Sequence, residues 1–285
     1  MASMRDIKRR KGSIQSTQQI TKAMKLVSTV KLQRAKGNAE KSKSYFTCMY
    51  ETVTSLLGKT ENLEHRYLKP GDSPKKAVVV ITSNRGLAGG YNSNIVKLIT
   101  KGELPKEDLE IYAIGKKGRD ALARSGYVIK EDASDIIEEP LYSDATKLCN
   151  KLLESFAAGE IGEIYLAYTA FKNTVVHEPT LLKLLPVELP EKEEAQETSK
   201  ALMNFEPEAD EALEMLIPKY ITSLIYGALI EAVASENGAR MQAMDSATSN
   251  ADEMIENLSL LYNRARQGSI TQELTEIIAG AEAIS

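Results

Sequence analysis

The sequence predicts an α/β fold with added long helices: an antiparallel coiled coil of N- and C-terminal helices with an inserted Rossmann-like α/β domain. Three observations support this prediction. The 285 residues include no Trp and only 4 Phe, so the large side chains that dominate an extensive core are scarce. Both ends of the chain follow helical periodicity far beyond the length of an ordinary helix. Between them, strand and helix patterns alternate, as in α/β domains.

The first helix is expected over residues 3–57 and fills the predicted domain 1–58. Ser3 and Asp6 stand three positions apart, which fits a capping box at the helix start, and the next proline is Pro70. At 1.5 Å per residue, such a helix extends about 80 Å. Its apolar stripe recurs at three- and four-residue steps, and is expected at Ile20, Ala23, Met24, Val27, Val30, Ala35, Ala39, Phe46, Met49, Val53, Leu56 and Leu57.

The middle of the chain begins with a polar linker at 59–76, where Pro70, Gly71 and Pro74 interrupt the helical pattern. The predicted α/β domain covers 77–187. Its first strand, at 77–82, is a β-branched run of the kind buried on both faces of a parallel sheet. Right-handed crossovers are expected between parallel strands. Further strands are predicted at 109–114, 127–130, 163–171 and 179–187, with helices around 94–100, within 115–125 and at 143–158.

An acidic linker at 188–208 precedes the last helix, which is predicted over 209–285. Its start is left open between Asp210 and Pro218, because proline is tolerated in a first helical turn and disruptive inside a helix. Gly227 and Gly238 each cost about 1 kcal/mol relative to Ala, which close approach of the other helix would explain. The coiled-coil seam is expected along Ile221, Ile225, Ala228, Ala232, Ala239, Ala243, Ala247, Ala251, Met254, Leu258, Leu261 and Ala265.

Charge is unevenly distributed along the chain. Residues 1–57 contain 12 of the 36 Lys and Arg but only 3 of the 40 Asp and Glu, so this segment carries +9 and the remainder −13. A basic limb fits an acidic partner, which could be nucleic acid, an anionic membrane surface or another protein. A protein partner is favoured over nucleic acid, because no aromatic residues alternate with the basic ones and the apolar stripe requires a helical partner.

Several classes of site and location are not expected. The longest apolar runs are far shorter than the roughly 18–20 residues of a membrane span. No apolar segment follows the basic N-terminus before Ile20, so a secretory signal is not predicted and the chain is expected in the cytosol. Cys48 and Cys149 form no Cys-x-x-Cys motif, and His65 and His177 have no partner at metal-ligand spacing.

A glycine-bearing turn at 83–91 (SNRGLAGGY) lies between a predicted strand and a predicted helix, where backbone amides could cradle a phosphate. It lacks the Lys-Ser/Thr of a P-loop and the spacing Gly-x-Gly-x-x-Gly, so a tight structural turn is favoured over a nucleotide site. The chain also has no nucleophile or acid–base motif of a known kind. An enzyme acting alone is therefore not expected, and a cytosolic nucleotide-binding enzyme is kept as the alternative.

Motifs at the two ends resemble the gamma subunit of bacterial-type F-type ATP synthases. The N-terminal motifs are Met4–Arg10 (MRDIKRR) and Gln19–Lys25 (QITKAMK). The C-terminal motifs are Ser235–Asp245 (SENGARMQAMD), Tyr262–Gln267 (YNRARQ) and Ile270–Ala281 (ITQELTEIIAGA), the last of which carries the family's signature. The resemblance covers the whole chain, but its specificity lies mainly in the ends. The bacterial type is inferred because the cysteine-bearing insertion of chloroplast relatives is missing.

This resemblance implies a non-catalytic rotor. In the family the helix pair is the central stalk inside a ring of three alpha and three beta subunits, and the α/β domain lies at its foot with epsilon and the c-ring, at the cytoplasmic face of the cell membrane. Proton flow turns the stalk, nucleotide chemistry belongs to alpha and beta, and no cofactor is implied for this chain. The segment Ile277–Ile284 would run in an apolar sleeve of the ring. The residues implied to contact partner subunits are Arg10, Lys22, Met24, Lys25, Arg240, Arg266, Gln267, Thr271 and Glu273.

Overall fold

The computed structural model describes residues 3–59, 65–187 and 209–282. The chain divides into two compact units, which we call the coil unit (Met1–Ser28 and Arg240–Ser285) and the sheet unit (Thr29–Ala239). Two long helices, α1 (Met4–Lys59) and α5 (Ala209–Glu282), each contribute residues to both units. The predicted acidic linker at 188–208 and residues 60–64 of the predicted polar linker lie outside the described residues.

The sheet unit contains a five-stranded sheet in the order β3-β2-β1-β4-β5. The first four strands are parallel, and β5 runs antiparallel to β4. In the central register, Val80 of β1 lies opposite Ala113 of β2 and Ala167 of β4. The strands are β1 (Lys76–Ile81), β2 (Leu109–Ile114), β3 (Val128–Asp132), β4 (Glu163–Phe171) and β5 (His177–Leu185), and the shorter helices are α2 (Tyr91–Thr100), α3 (Lys116–Arg124) and α4 (Tyr142–Ala157).

Both faces of the sheet are covered, because β1 alternates buried side chains to two separate cores. Val78 and Val80 pack with Ile95 of α2 and Leu122 of α3. Ala77, Val79 and Ile81 belong to the opposite core, which also contains Leu56 and Leu57 from α1, Leu148 and Leu152 from α4, and Ile217, Ile221 and Ile225 from α5. This arrangement confirms the predicted α/β domain and explains why β1 has no polar face.

The last helix begins at Ala209, so Pro218 lies inside it. Of the two starts left open from the sequence, near Asp210 or at Pro218, the structure supports the earlier one. Pro218 follows the fully buried Ile217, and its carbonyl accepts a hydrogen bond from the Thr222 hydroxyl at 2.8 Å. By length and composition α5 contains a stretch apolar enough to cross a membrane, although half of that stretch is buried inside the protein, as in a core helix.

In the coil unit, α1 and α5 run antiparallel. The hydroxyls of Thr21 and Thr248 lie 2.8 Å apart, the Lys25 ammonium lies 2.5 Å from Asp245, and Gln18 donates to Asp252. Residue numbers therefore fall along α5 as they rise along α1. At the start of α1, one bond of the predicted capping box is present, because the Asp6 N–H donates to the Ser3 hydroxyl at 3.2 Å. The Asp6 carboxylate accepts from the same hydroxyl at 2.7 Å rather than from the Ser3 backbone.

The seam of the coil unit matches the predicted apolar stripe on α5 in part, but not on α1. Ala251, Leu258 and Ala265 are buried or half-buried as predicted. Ile20 and Val27 of α1 are 60% and 57% exposed, and Met254 and Leu261 of α5 are 53% and 50% exposed. Val30, in the sheet unit, is exposed as well. Most buried and half-buried positions alternate by three and four residues: Ile7, Lys11, Ile14, Gln18, Thr21 and Lys25 on α1, and Met241, Met244, Thr248, Ala251, Ile255, Leu258, Tyr262 and Ala265 on α5. Met24, Ala243, Ala247 and Ser259 are half-buried next to them.

The two helix glycines have different neighbours. A Cβ at Gly227 would meet the ring of Phe46 on α1 at 3.5 Å, which is an ordinary contact. A Cβ at Gly238 would come within 2.7 Å of the His177 ring on β5. The expectation that the opposing helix excludes a side chain is therefore wrong for Gly238, where the hairpin between β4 and β5 approaches α5.

Candidate partner-contact surface

All nine residues that the resemblance implies as partner contacts belong to the coil unit. Arg10 and Lys22 are exposed on α1, whereas Met24 is half-buried. Lys25 lies in the seam and its charge is compensated by Asp245. A partner carboxylate that binds Lys25 would therefore have to replace Asp245. At Lys22, which is exposed and lies outside the seam, it would meet no such competition. Arg240 is half-buried at the start of the α5 part of this unit.

The end of α5 presents its side chains to solvent. Arg266, Gln267, Thr271 and Glu273 are all exposed, and the Thr271 hydroxyl donates to the Gln267 carbonyl at 2.9 Å. This bond to the preceding turn leaves the Thr271 methyl and the Gln267 amide at the surface. The four polar side chains lie within two turns of one helix, so a single partner surface could contact them together.

The same helix end also exposes apolar side chains. Thr21 pairs with Thr248, so the start of α1 at Met4 is about level with Ala265, and the following residues run past it. Large apolar side chains without cover mark protein interaction sites when they are contiguous. Here they recur at four-, three- and one-residue steps on one side of the helix: Ile270 (48% exposed), Leu274 (54%), Ile277 (66%) and Ile278 (59%). Residues 283–284 of the predicted apolar tip lie outside the described residues.

A second exposed apolar set was missed from the sequence because it was assigned to the seam. In the heptad that the buried residues define, Met254 and Leu261 of α5 lie on one side of the seam and Asp245 and Asp252 on the other, whereas Ile20 and Val27 of α1 lie farther out, at position c. The missed signal is that two stripes with three- and four-residue spacing compete on each helix. The stripe that is inside on α1 contains polar residues, and these bond to side chains of α5. On α5 the inside stripe is largely apolar, with Met244 and Leu258 buried.

In the sheet unit, the glycine-bearing turns are filled by the chain's own oxygens. At the start of α3, the amides of Lys116, Lys117 and Gly118 donate to the Asn84 side chain, the Ser83 carbonyl and the Thr82 hydroxyl at 3.1, 3.0 and 2.9 Å. These are the groups that would otherwise bind a phosphate. Gly115 has φ +110°, and a Cβ there would lie 2.1 Å from the Thr82 carbonyl oxygen, so the turn before α3 has a structural role.

The crevice at the carboxyl ends of the strands, where α/β sheets bind nucleotides, is occupied by α5. The Tyr91 hydroxyl donates to the Ala232 carbonyl at 3.2 Å, and the Ser235 hydroxyl donates to the Thr169 carbonyl at 3.0 Å. Within the described ranges, no three His, Cys, Asp or Glu side chains are grouped to hold a metal ion. Burial raises the pKa of Cys149 to about 11, which makes its thiol a poor nucleophile.

Comparison with known proteins decides the family. The sequence model described as ATP synthase matches residues 3–284. A protein of Lachnoclostridium phytofermentans named ATP synthase gamma chain is 64% identical over 291 residues, with 100% of both chains covered. A further relative, from Acetobacterium woodii and named ATP synthase gamma chain, sodium ion specific, is 40% identical with 99% of each chain covered. The chain belongs to the ATP synthase gamma-chain family.

Solved structures agree with the fold. A chain of the Euglena gracilis mitochondrial ATP synthase matches with a TM-score of 0.67 at 19% identity, covering 99% of this chain and 94% of that one. A chain from the central stalk and c-ring structure of the Tetrahymena thermophila mitochondrial enzyme matches with a TM-score of 0.59 at 23% identity, covering 80% of this chain and 99% of that one. As a gamma subunit, the chain is a rotor subunit of an F-type ATP synthase.

One of the motifs shared with the family, Ser235–Asp245, has a structural role in this chain. It contains Ser235, which binds β4, Gly238, which admits His177, and Asp245, which pairs with Lys25. These side chains make contacts within the chain. The motif Ile270–Ala281, by contrast, is exposed throughout.

Proposed function

We propose that this gamma-family chain is the central-stalk rotor that turns inside a ring of three alpha and three beta subunits and couples transmembrane proton flow to ATP synthesis or hydrolysis on the beta subunits. It contributes no catalytic residue and no cofactor. The sheet unit binds epsilon and the c-ring, and the assembly lies peripherally on the cytoplasmic face of the cell membrane. The observation that carries this proposal is the exposed, uncovered end of α5.

The exposed end fits a rotating contact better than a permanent one. A stable interface is dominated by a few large buried anchors such as Trp, Tyr and Arg. From Arg266 to Ala281 the chain instead offers polar side chains interspersed with medium-sized aliphatic ones, without Trp or Tyr, all on one exposed helix. Arg266, Gln267, Thr271 and Glu273 act as catch residues for polar loops of beta, and the aliphatic side chains face the apolar sleeve.

The basic side chains of the coil unit act toward acidic segments of beta. Arg10 and Lys22 are exposed and supply the charge, while Met24 supplies an apolar contact next to them. Lys25 acts mainly through its pair with Asp245, and Arg240 lies on the opposing helix. Exposed charges of this kind increase association rate and orientation more than affinity.

The coupling ion is proposed to be the proton. A relative at 40% identity is named sodium ion specific, so the alternative ion is tested directly. ATP hydrolysis by the membrane-bound complex is measured with and without added Na⁺. Activity that is independent of Na⁺ supports the proton as the coupling ion. Activity that requires millimolar Na⁺ contradicts this choice of ion but leaves the rotor assignment unchanged.

The rotor assignment itself is tested by co-expression with the alpha and beta subunits of the same organism. We expect a complex that contains one copy of this chain per three beta subunits and hydrolyses ATP faster than alpha and beta alone. A chain ending at Ala265 should assemble less well, because it lacks the exposed helix end. If no complex forms with the full chain, or if the complex hydrolyses ATP equally well without it, the proposal fails.

A further inference from the structure

The end of the β4–β5 hairpin places a histidine against α5. His177 lies opposite Phe171 in the last pair of the antiparallel ladder, with 5.9 Å between ring centroids. The edge of its imidazole lies against the backbone of Gly238, where a Cβ would come within 2.7 Å of Cε1 and 3.2 Å of Nε2. Both ring nitrogens are buried and form no hydrogen bond within the described part of the chain. The slot thus fits the shape of the ring but does not satisfy its polar atoms.

Few polar contacts attach this hairpin to α5. The Phe171 N–H donates to the Glu231 carboxylate at 3.3 Å, and the Ser235 hydroxyl donates to the Thr169 carbonyl at 3.0 Å. The Thr169 hydroxyl is itself buried without a partner among the described residues. An interface with unsatisfied polar atoms is weaker than its buried area suggests, so the attachment is sensitive to one added charge.

The charged groups around the slot come from three elements. Lys36 of α1 places its ammonium 5.1 Å from the centre of the Phe171 ring, and Glu231 of α5 accepts the Phe171 N–H. Within the hairpin, Lys172 and Glu178 pair with each other at 2.6 Å. None of these four groups bonds to the imidazole. A protonated ring would bring a charge and two N–H donors into a slot where, of the residues described, the Thr174 backbone is the one polar group that favours the charged form.

We propose that the hairpin end is an acid-released clasp on α5, in which neutral His177 keeps residues 171–177 closed on the helix and protonation of His177 drives the imidazole out of its slot. The chemistry is a single proton taken up from solvent by a ring nitrogen. The exposed tip next to it, with Val175 and Val176, moves with the hairpin when the clasp opens.

Titration of the two buried groups has opposite effects on the clasp. Burial lowers the pKa of His177, which the Thr174 backbone offsets only in part. The closed state is therefore fully stable above the ordinary histidine pKa of about 6.5 and loses stability as the pH falls below it. Burial raises the pKa of Glu231, against the bond from Phe171, so protonation of Glu231 favours the closed state and partly masks the His177 effect.

The test is hydrogen exchange of the Phe171 amide in the full-length chain between pH 5 and pH 8, corrected for intrinsic exchange. In a Glu231→Gln background, we expect the equilibrium constant for opening to rise up to about tenfold per pH unit below pH 6.5, since one proton is taken up. His177→Phe should fill the slot and abolish this slope. A flat profile in the Glu231→Gln background, or a slope that persists in His177→Phe, overturns the proposal.

Two further measurements keep the test decisive if His177→Phe fails to fold. The chain has 2 histidines, so the imidazole of His177 can be followed by NMR, and a midpoint at or above 6.5 contradicts the clasp. Gly238→Ala should open the hairpin at every pH by at least tenfold, because its Cβ enters the slot. Gly227→Ala is the matched control, since its Cβ makes only an ordinary contact with Phe46, and equal exchange in both variants also contradicts the proposal.

Discussion

Lys25 of α1 and Asp245 of α5 form an ion pair of 2.5 Å across the seam of the coil unit. The side chains remain 39% and 57% exposed, so solvent screens their attraction. Together with the hydroxyl pair of Thr21 and Thr248, this contact links the two helices at the polar positions of the seam. These bonds add to the burial of Met244 and Ala251 in the same seam.

This ion pair should contribute little to stability. We expect Asp245→Ala to lower the free energy of unfolding by less than about 1 kcal/mol, as for other exposed pairs, and the effect should shrink further in 1 M NaCl. Urea denaturation of the full chain measures both. Asp252→Ala, which removes the neighbouring Gln18 contact, is a comparison without a formal ion pair, and a loss at Asp245 several times larger than this would contradict the expectation.

A stronger electrostatic contribution is expected from Glu163 at the start of β4. Its carboxylate lies 2.7 Å from Lys76 and 3.0 Å from Lys183, and the Tyr165 hydroxyl donates to it. Burial alone raises the pKa of Glu163, but the bonds from Lys76, Lys183 and Tyr165 outweigh it and lower the pKa to about 2. Because the pKa is depressed on folding, the stabilisation is complete above the ordinary value and is lost as the pH falls toward 2.

We therefore expect Glu163→Gln to cost about 1–3 kcal/mol of unfolding free energy at pH 7, and the difference from the wild type to shrink steadily below pH 4.5. Denaturation midpoints between pH 3 and pH 7 measure it. Glu160→Gln is the control, since Glu160 is exposed at the neighbouring turn. A pH-independent difference for Glu163→Gln would show that the loss comes from packing and not from charge.

The tight packing of the turn before α3 predicts that Ala substitution will affect stability very differently at Gly118 and at Gly86. A Cβ at Gly118 would lie 2.6 Å from the Thr82 side chain, whereas a Cβ at Gly86 would lie 3.8 Å from Lys117. Gly118→Ala should destabilise the sheet unit by about 1–3 kcal/mol through overpacking, and Gly86→Ala should change stability by less than about 0.5 kcal/mol. Thermal denaturation followed by circular dichroism distinguishes the two, and similar losses would contradict the packing described for Thr82.

The exposed end of α5 predicts a defect in function without a defect in folding. Arg266→Ala combined with Gln267→Ala should lower ATP hydrolysis by the assembled complex at least about threefold, because each removes a polar contact worth on the order of 0.5–1.5 kcal/mol. Helix content should be unchanged. Asn263→Ala with Arg264→Ala is the matched control, as both residues are exposed one turn earlier. Equal activity of both double variants would remove Arg266 and Gln267 from the set of catch residues.

Much of the sheet unit could be predicted from the sequence, because buried strands and their turns have strong local signals. The strand Leu109–Ile114 has the predicted bounds, and β1 begins one residue before its predicted start. The antiparallel direction of β5 had no such signal. Strand direction depends on pairing with β4 through a turn at 172–176, and the pairing of Phe171 with His177 is a property of the folded hairpin.

The coil unit was harder, because apolar spacing alone does not identify the buried side of a helix. Ile20 and Val27 repeat at the heptad interval just as Thr21 and Ser28 do, and counting apolar residues selects the wrong stripe on α1. Thr21 is inside because a hydroxyl partner on α5 meets it there. The nearest sequence clue is that Gln18, Thr21 and Lys25 also keep three- and four-residue steps, with hydrogen-bonding partners at matching steps near Thr248.

The exposed aliphatic side chains of the coil unit have a consequence for how the chain is made in the cell. Ile20 and Met254 are each more than half exposed to water. Exposed aliphatic clusters promote self-association of a free protein. Synthesis of this chain in excess over its partners should therefore yield precipitate rather than a reserve of spare rotors, and the amount of usable chain is then set by the supply of the subunits that cover it.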